Sequence, residues 1–172
     1  MNIKIGILGG GSWGTALAIL LANKDYNVEM WIRDENQLKA MEDTRVNEKY
    51  LPEAKLPENL KLNNDLQAAI LDSDVILLAT PTHGVRETLN KAVKHIKAEQ
   101  IIVNIAKGVE NESLLRISQI VKEILPNNKY AVLSGPSHAE EVAKKYANNC
   151  SSSIRRYICC KVYSRCIHDA KL

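Results

Sequence analysis

Cysteine is missing from the first 149 residues of this 172-residue chain; all four, Cys150, Cys159, Cys160 and Cys166, lie in the tail. A body without thiols has no disulfide framework and suits a reducing compartment, so a cytoplasmic protein is expected. Long hydrophobic runs are absent too: no stretch approaches the roughly 20 apolar residues of a membrane-spanning helix. Met1 to Leu8 lack the basic segment and small-residue cleavage site of a secretory leader, so none is expected. There is no internal repeat and no low-complexity linker, which argues against solenoids and tethered modules. The body also lacks an excess of either charge: residues 1–149 hold 18 Lys and Arg against 19 Asp and Glu. The net charge of +3 therefore arises in the tail, and nothing in the body points to nucleic acid. With 45% hydrophobic and 25% charged residues, the composition excludes collagen-like, disordered and coiled-coil classes. A chain of 19.2 kDa is one domain, or one domain and a fragment, long enough to bury roughly 70% of its unfolded surface.

What is there alternates. Residues 3–8 form a short apolar run bounded by glycine and read as a buried strand. Residues 12–24 place apolar side chains at helical spacing. A second strand is expected at 27–32, a polar helix at 35–43, a loop with Pro52 and Pro57 over 44–60, and a short helix at 66–71. Residues 74–79 are apolar on both faces, as parallel strands are. Helices at 84–97, 112–125 and 137–145 then alternate with strands at 101–106 and 130–134. This order implies a doubly wound α/β fold, a parallel sheet with helices on both faces.

Gly9, Gly11 and Gly14 fit G-x-G-x-x-G, and here the motif follows a strand and opens a helix. In that context Gly9 permits a tight turn, Gly11 leaves room for a pyrophosphate, and Gly14 lets the helix pack close to the strand. The helix N-terminus adds free N–H groups and partial positive charge. The second strand ends in Arg33 and Asp34. An acidic residue there accepts from a ribose 2′-hydroxyl and an arginine pairs with a 2′-phosphate, so the pair is expected to select NADP or to serve both NADP and NAD. Lys107 follows a strand at the carboxyl edge, where it can hold a substrate oxygen or phosphate. His83 lies at the same edge, as at most a wall of the nicotinamide pocket. Gly135 and Ser137 open a helix that can bind an anion, although Ser137 with Glu140 also forms a capping-box pattern. Trp31 and Tyr50 read equally well as packing residues.

Six segments in order, GGGSWGTALA, WIRD, NEKYLP, ATPTH, NIAKGVE and LSGPSHAEEV, resemble bacterial NAD(P)-dependent glycerol-3-phosphate dehydrogenase from about residue 3 to 145. The resemblance implies a Rossmann-like domain and interconversion of sn-glycerol 3-phosphate and dihydroxyacetone phosphate for phospholipid synthesis, with a homodimeric parent enzyme. By motif it makes Ser12, Trp13, Arg33, Tyr50 and Ala139 cofactor contacts. Lys107 becomes a contact shared by cofactor and substrate, and Gly135 and Ser137 become substrate contacts. It also implies an all-helical second domain carrying the proton-accepting lysine, which this chain does not match. Another dehydrogenase of the 6-phosphogluconate-dehydrogenase-like architecture, or a non-catalytic cofactor-binding fragment, are the competing expectations.

Residues 146–172 show no amphipathic period and resemble nothing in that family. Cysteine codons read one base later encode only valine or alanine. Residues 147–169 rewritten in that frame give a strand, a turn and an amphipathic helix, so the tail is expected to be a frameshifted, disordered segment. The spacing of Cys159, Cys160, Cys166 and His168 does not fit the usual zinc pairs, and no metal is expected.

Overall fold

The computed structural model describes residues 3–133 together with Ala139, Glu140, Val142 and Ala143. Strand β1 (Lys4–Leu8) buries Ile5, Ile7 and Leu8. Helix α1 (Ser12–Ala22) follows a glycine turn and is buried from Gly14 to Ala22. Such a helix has no polar face to offer water, so it must be covered on every side. Strand β2 (Asn27–Trp31) runs parallel to β1, with Leu8 beside Trp31. Helix α2 (Glu35–Thr44) starts at Asp34, whose carboxylate accepts from the backbone N–H groups of Asn36 at 3.0 Å and Gln37 at 3.2 Å. That is an N-cap, satisfying two donors the helix itself cannot.

The stretch expected as a loop over 44–60 contains an antiparallel ribbon, β3 (Val46–Asn47) and β4 (Leu51–Lys55). Two leucines anchor it: Leu51 and Leu56 are both buried in the core shared with α1. Pro52 is tolerated because a two-stranded ribbon has open edges, where a missing donor costs little. Strand β5 (Lys61–Asn63), parallel to β2, was not expected at all. It is three residues of polar sheet edge, too short and too hydrophilic to show a strand pattern.

Helix α3 (Leu66–Ile70) leads into β6 (Val75–Leu78), then α4 (Thr82–Ala92) and a 3₁₀ turn at Val93–His95. Strand β7 (Ile101–Asn104), helix α5 (Ile117–Ile124) and strand β8 (Tyr130–Val132) follow. The helix expected from residue 112 starts only at Ile117. Leu114 is left-handed (φ 57°) and exposed, and the residues before α5 fold into a turn in which the Glu110 N–H donates to the Leu115 carbonyl at 2.9 Å. Of the helix expected at 137–145, Ala139, Glu140, Val142 and Ala143 are helical; its other residues, and the whole of 146–172, lie outside the described residues.

The main sheet has the order β5-β2-β1-β6-β7-β8 with every pairing parallel. Written by position within the sheet, that is 3-2-1-4-5-6, the doubly wound arrangement expected. Alternate residues feed two cores. Ile5, Ile7, Leu77 and Val103 join α1 on one face, while Leu8, Ile76, Leu78 and Ile102 join α3, α4 and α5 on the other. The chain reverses direction across the sheet between β1 and β6, and their carboxyl ends open a crevice there. Among the described residues, no helix is long and apolar enough to cross a membrane.

Candidate functional site

A cavity of about 680 Å³ runs along the carboxyl edge of the sheet, over the ends of β2, β1, β6 and β7. Gly9 to Trp13 form its floor at the switch point. The three motif glycines meet different surroundings. Gly9 has φ +131°, donates its N–H to the Trp31 carbonyl at 3.1 Å, and a Cβ on it would come within 2.8 Å of the Ala79–Thr80 peptide. A Cβ on Gly14 would lie 2.4 Å from the Gly9 carbonyl oxygen. A Cβ on Gly11 would meet nothing within 4 Å. The first and third glycines are therefore imposed by the turn and by helix packing, whereas the second opens onto free space. Gly11 is also the N-cap of α1, with no side-chain cap bond and no acidic residue in the first turn. The helix thus presents uncapped N–H groups, with Ser12 and Trp13, to the cavity.

At the β2 end, Arg33 is exposed and lines the cavity. Asp34 lines it as well, but its carboxylate is engaged as the cap of α2. The structure thus gives the two neighbouring charges different surroundings, Arg33 exposed in the cavity and Asp34 engaged at the helix. The Glu87 carboxyl of α4 is held below the usual carboxylate range, first by its hydrogen bond from Lys91 and least by the charge of Arg33. Tyr50 borders the same end with its ring half exposed, and the Lys49 ammonium sits 5.1 Å from the ring centroid. Trp31 is a packing residue that also lines the cavity: it is buried and donates its indole N–H to the Asn64 carbonyl at 2.9 Å.

At the other end, Thr80, Pro81, Thr82 and His83 cover the tip of β6. Thr80 is 8% exposed, and its hydroxyl has no hydrogen-bond partner among the described residues. An unpaired buried hydroxyl costs free energy unless a ligand or water completes it. His83 is exposed at the rim. Lys107 is exposed in the cavity just beyond β7, with no carboxylate partner among the described residues. Its loop is held from two sides. The Thr82 hydroxyl donates to the Lys107 carbonyl. Three residues on, the Glu110 carboxylate receives the Arg86 guanidinium of α4 at 2.8 Å, and Arg86 also reaches Glu123 of α5 at 2.9 Å. These bonds hold the Glu110 carboxyl below its ordinary value, Arg86 contributing most and Ser113 next, and hold the Arg86 guanidinium firmly charged.

Ala139 and Glu140 close the remaining side of the cavity. Gly135 and Ser137 lie outside the described residues. Gln37 and Asn47 were missed by sequence reasoning. Asn47 is fully buried, and both side-chain amides bond the Gly10 carbonyl. The only signal in the chain was that Asn47 opens the segment NEKYLP, and nothing in a local pattern says that its side chain turns inward. Among the described residues, no cluster of His, Cys, Asp and Glu is arranged to hold a metal ion.

The family described as NAD-dependent glycerol-3-phosphate dehydrogenase N-terminus matches residues 4–158, a span that crosses the boundary set at residue 146. The chain belongs to this family. It is 48% identical over 142 residues to a glycerol-3-phosphate dehydrogenase [NAD(P)+] of Halothermothrix orenii, a match covering 83% of this chain and 41% of the relative. It is 39% identical over 167 residues to that of a Thermoanaerobacter species, covering 97% of this chain and 50% of the relative. The crystal structure of the Coxiella burnetii glycerol-3-phosphate dehydrogenase superposes with a TM-score of 0.79 at 36% identity, over 83% of this chain and 44% of that one. The chain thus spans half or less of the length of these glycerol-3-phosphate dehydrogenases.

Proposed function

We propose that this chain is the cofactor-binding half of an NAD(P)-dependent glycerol-3-phosphate dehydrogenase, which interconverts sn-glycerol 3-phosphate and dihydroxyacetone phosphate. One observation carries the reading. A single cavity spans four adjacent strand ends, with Arg33 at one end, Lys107 at the other and the glycine turn between them. Three strand spacings, roughly 14 Å, separate the strands that lead to the two basic residues, a span suited to an extended dinucleotide. The residues fit that cofactor on their own terms: the space over Gly11 is open, the α1 N–H groups are uncapped, and the buried Thr80 hydroxyl is unpaired.

When bound, the cofactor supplies or accepts the hydride. In this reading Gly9, Gly11 and Gly14 shape the floor, and the N-terminus of α1 with Ser12 and Trp13 holds the pyrophosphate. Arg33 and Tyr50 hold the adenosine end, with Arg33 pairing a 2′-phosphate as a planar fork. Ala139 contacts the cofactor, and Lys107 reaches both cofactor and substrate as the catalytic contact in this chain. Gly135 and Ser137 are assigned to the substrate, while the group that takes the hydroxyl proton belongs to the half of the relatives that this chain does not match. The family resemblance further supports a cytoplasmic, homodimeric parent enzyme that feeds phospholipid synthesis. The cofactor domain ends at residue 145 in this reading, and resequencing the gene across codon 146 tests whether the tail is read out of frame.

The cofactor assignment is tested by calorimetry on the 172-residue chain. Arg33→Ala is expected to weaken NADPH about tenfold or more while changing NADH little, the worth of one charge-assisted pair. Equal weakening of both would remove Arg33 from the 2′-phosphate site.

A further inference from the structure

The Gly10 carbonyl accepts two side-chain N–H groups at once. Gln37 Nε2 donates from α2 at 2.7 Å, and Asn47 Nδ2 donates from β3 at 3.0 Å. The two amides are themselves joined, Gln37 Nε2 donating to Asn47 Oδ1 at 3.3 Å, and Asn47 Nδ2 also donates to Thr15 Oγ1 of α1 at 2.8 Å. Asn47 and Thr15 are both fully buried. A buried amide is tolerated only when its donors and acceptor are satisfied, and here three separate elements converge to satisfy this one.

The consequence lies in the next peptide unit. In a trans peptide the carbonyl of one residue and the N–H of the next point in opposite directions, and no cis bond occurs among the described residues. With the Gly10 carbonyl held toward α2 and β3, the Gly11 N–H is turned away from them, and no described group accepts from it. Gly11 is also the glycine whose missing Cβ leaves open space. Two consecutive glycines place little steric limit on rotating this peptide unit. Rotated over, it would present a carbonyl oxygen where an anion needs a donor. We infer that Gln37 and Asn47 are positioning residues that lock the Gly10–Gly11 peptide so that it offers its N–H to the cofactor pyrophosphate. This rests on the cofactor reading above and adds which side chains set the turn for a phosphate.

The test separates the pyrophosphate from the rest of the cofactor. Gln37→Met keeps the length and volume beside Met41 but donates nothing, and the partly exposed site tolerates it; Asn47→Leu does the same at the buried position. Calorimetry on the 172-residue chain compares NADPH with adenosine 2′-monophosphate, which has the 2′-phosphate end and no pyrophosphate. Gln37→Met is expected to weaken NADPH about tenfold, the worth of a well-formed hydrogen bond, and to leave adenosine 2′-monophosphate unchanged. In amide NMR, the Gly11 shift that NADPH induces in the parent chain should shrink in the variant. Equal weakening of both ligands would show general loosening and overturn the inference, and so would unchanged NADPH affinity. A parent chain that binds NADPH not at all would overturn the cofactor reading itself, and the inference with it.

Discussion

Gly9, Gly11 and Gly14 share a residue type and a motif but not a reason. Gly9 is needed for its backbone conformation and for the peptide packed against it, Gly14 for the approach of α1 to the turn, and Gly11 for what is not there. These causes predict different phenotypes. Gly9→Ala and Gly14→Ala put a methyl group against backbone that cannot move aside, so each should lower unfolding stability by about 2–4 kcal/mol in urea titrations. Gly11→Ala should change it by less than about 1 kcal/mol. Gly11→Val should keep the native circular dichroism yet abolish NADPH binding in calorimetry, because its branches fill the space proposed for the pyrophosphate. Unchanged affinity in that variant would reduce the glycine run to a turn. The motif was fully legible in the sequence, as the fixed spacing of three glycines is a local signature. The use of Asp34 as a cap was legible only in part: its place just before a polar helix was visible, but whether its carboxylate turned to the helix or to the cavity was a matter of geometry.

Elements show a sharper division. The apolar strands β1, β6 and β7 and the helix α1 declare themselves, because burial on both faces leaves only apolar residues. The β3–β4 ribbon, strand β5 and the turn before α5 do not, since each depends on partners far along the chain. The turn before α5 is instructive: its residues are compatible with helix, yet Leu114 is left-handed and Glu110, just ahead of it, pairs with Arg86 of α4, 24 residues earlier. The Glu110 carboxyl is depressed below its ordinary value of 4.5. A depressed carboxyl stabilises the fold above its unfolded pKa, and that stability is lost as pH falls through the folded value. Glu110→Gln should therefore melt below the parent at pH 7, and the gap should close as the pH is lowered past about 4. The melting temperature of both forms across that range checks this; a gap independent of pH would assign the loss to packing alone. Because Arg86 and Glu110 brace the loop bearing Lys107, this ion pair also limits how far that lysine can wander.

At the scale of the molecule, the cavity depends on the reversal of chain direction between β1 and β6. That reversal brings segments separated by up to a hundred residues to one edge: the glycine turn, Arg33, the Thr80–His83 segment and Lys107. Hydride transfer also needs a substrate held against the nicotinamide and a group to take the hydroxyl proton. The proposed division of labour puts those in the half of the relatives this chain does not match. The 172-residue chain should therefore bind NADPH but oxidise it with dihydroxyacetone phosphate at least about 10²–10⁴-fold more slowly than a version extended to the length of its relatives, the usual cost of losing a general acid–base group. Comparable rates in an NADPH absorbance assay would relocate the chemistry into this half.

The sequence by itself determined the strand–helix alternation, the doubly wound class, the glycine turn and the basic residues at the sheet edge. Each of these is written in local periodicity or in fixed spacing, which survive without knowledge of distant partners. Only the tertiary structure decided that Asp34 caps a helix while Arg33 lines the cavity, that Thr80 is buried with a hydroxyl unpaired among the described residues, and that Gln37 and Asn47 grip Gly10. These outcomes depend on which way a polar side chain turns. For Asp34 the partners are local, two and three residues on, and only the choice between helix and cavity was left to the fold. For Gln37 and Asn47 it is settled by desolvation and by partners 10 to 37 residues away, which no local pattern records.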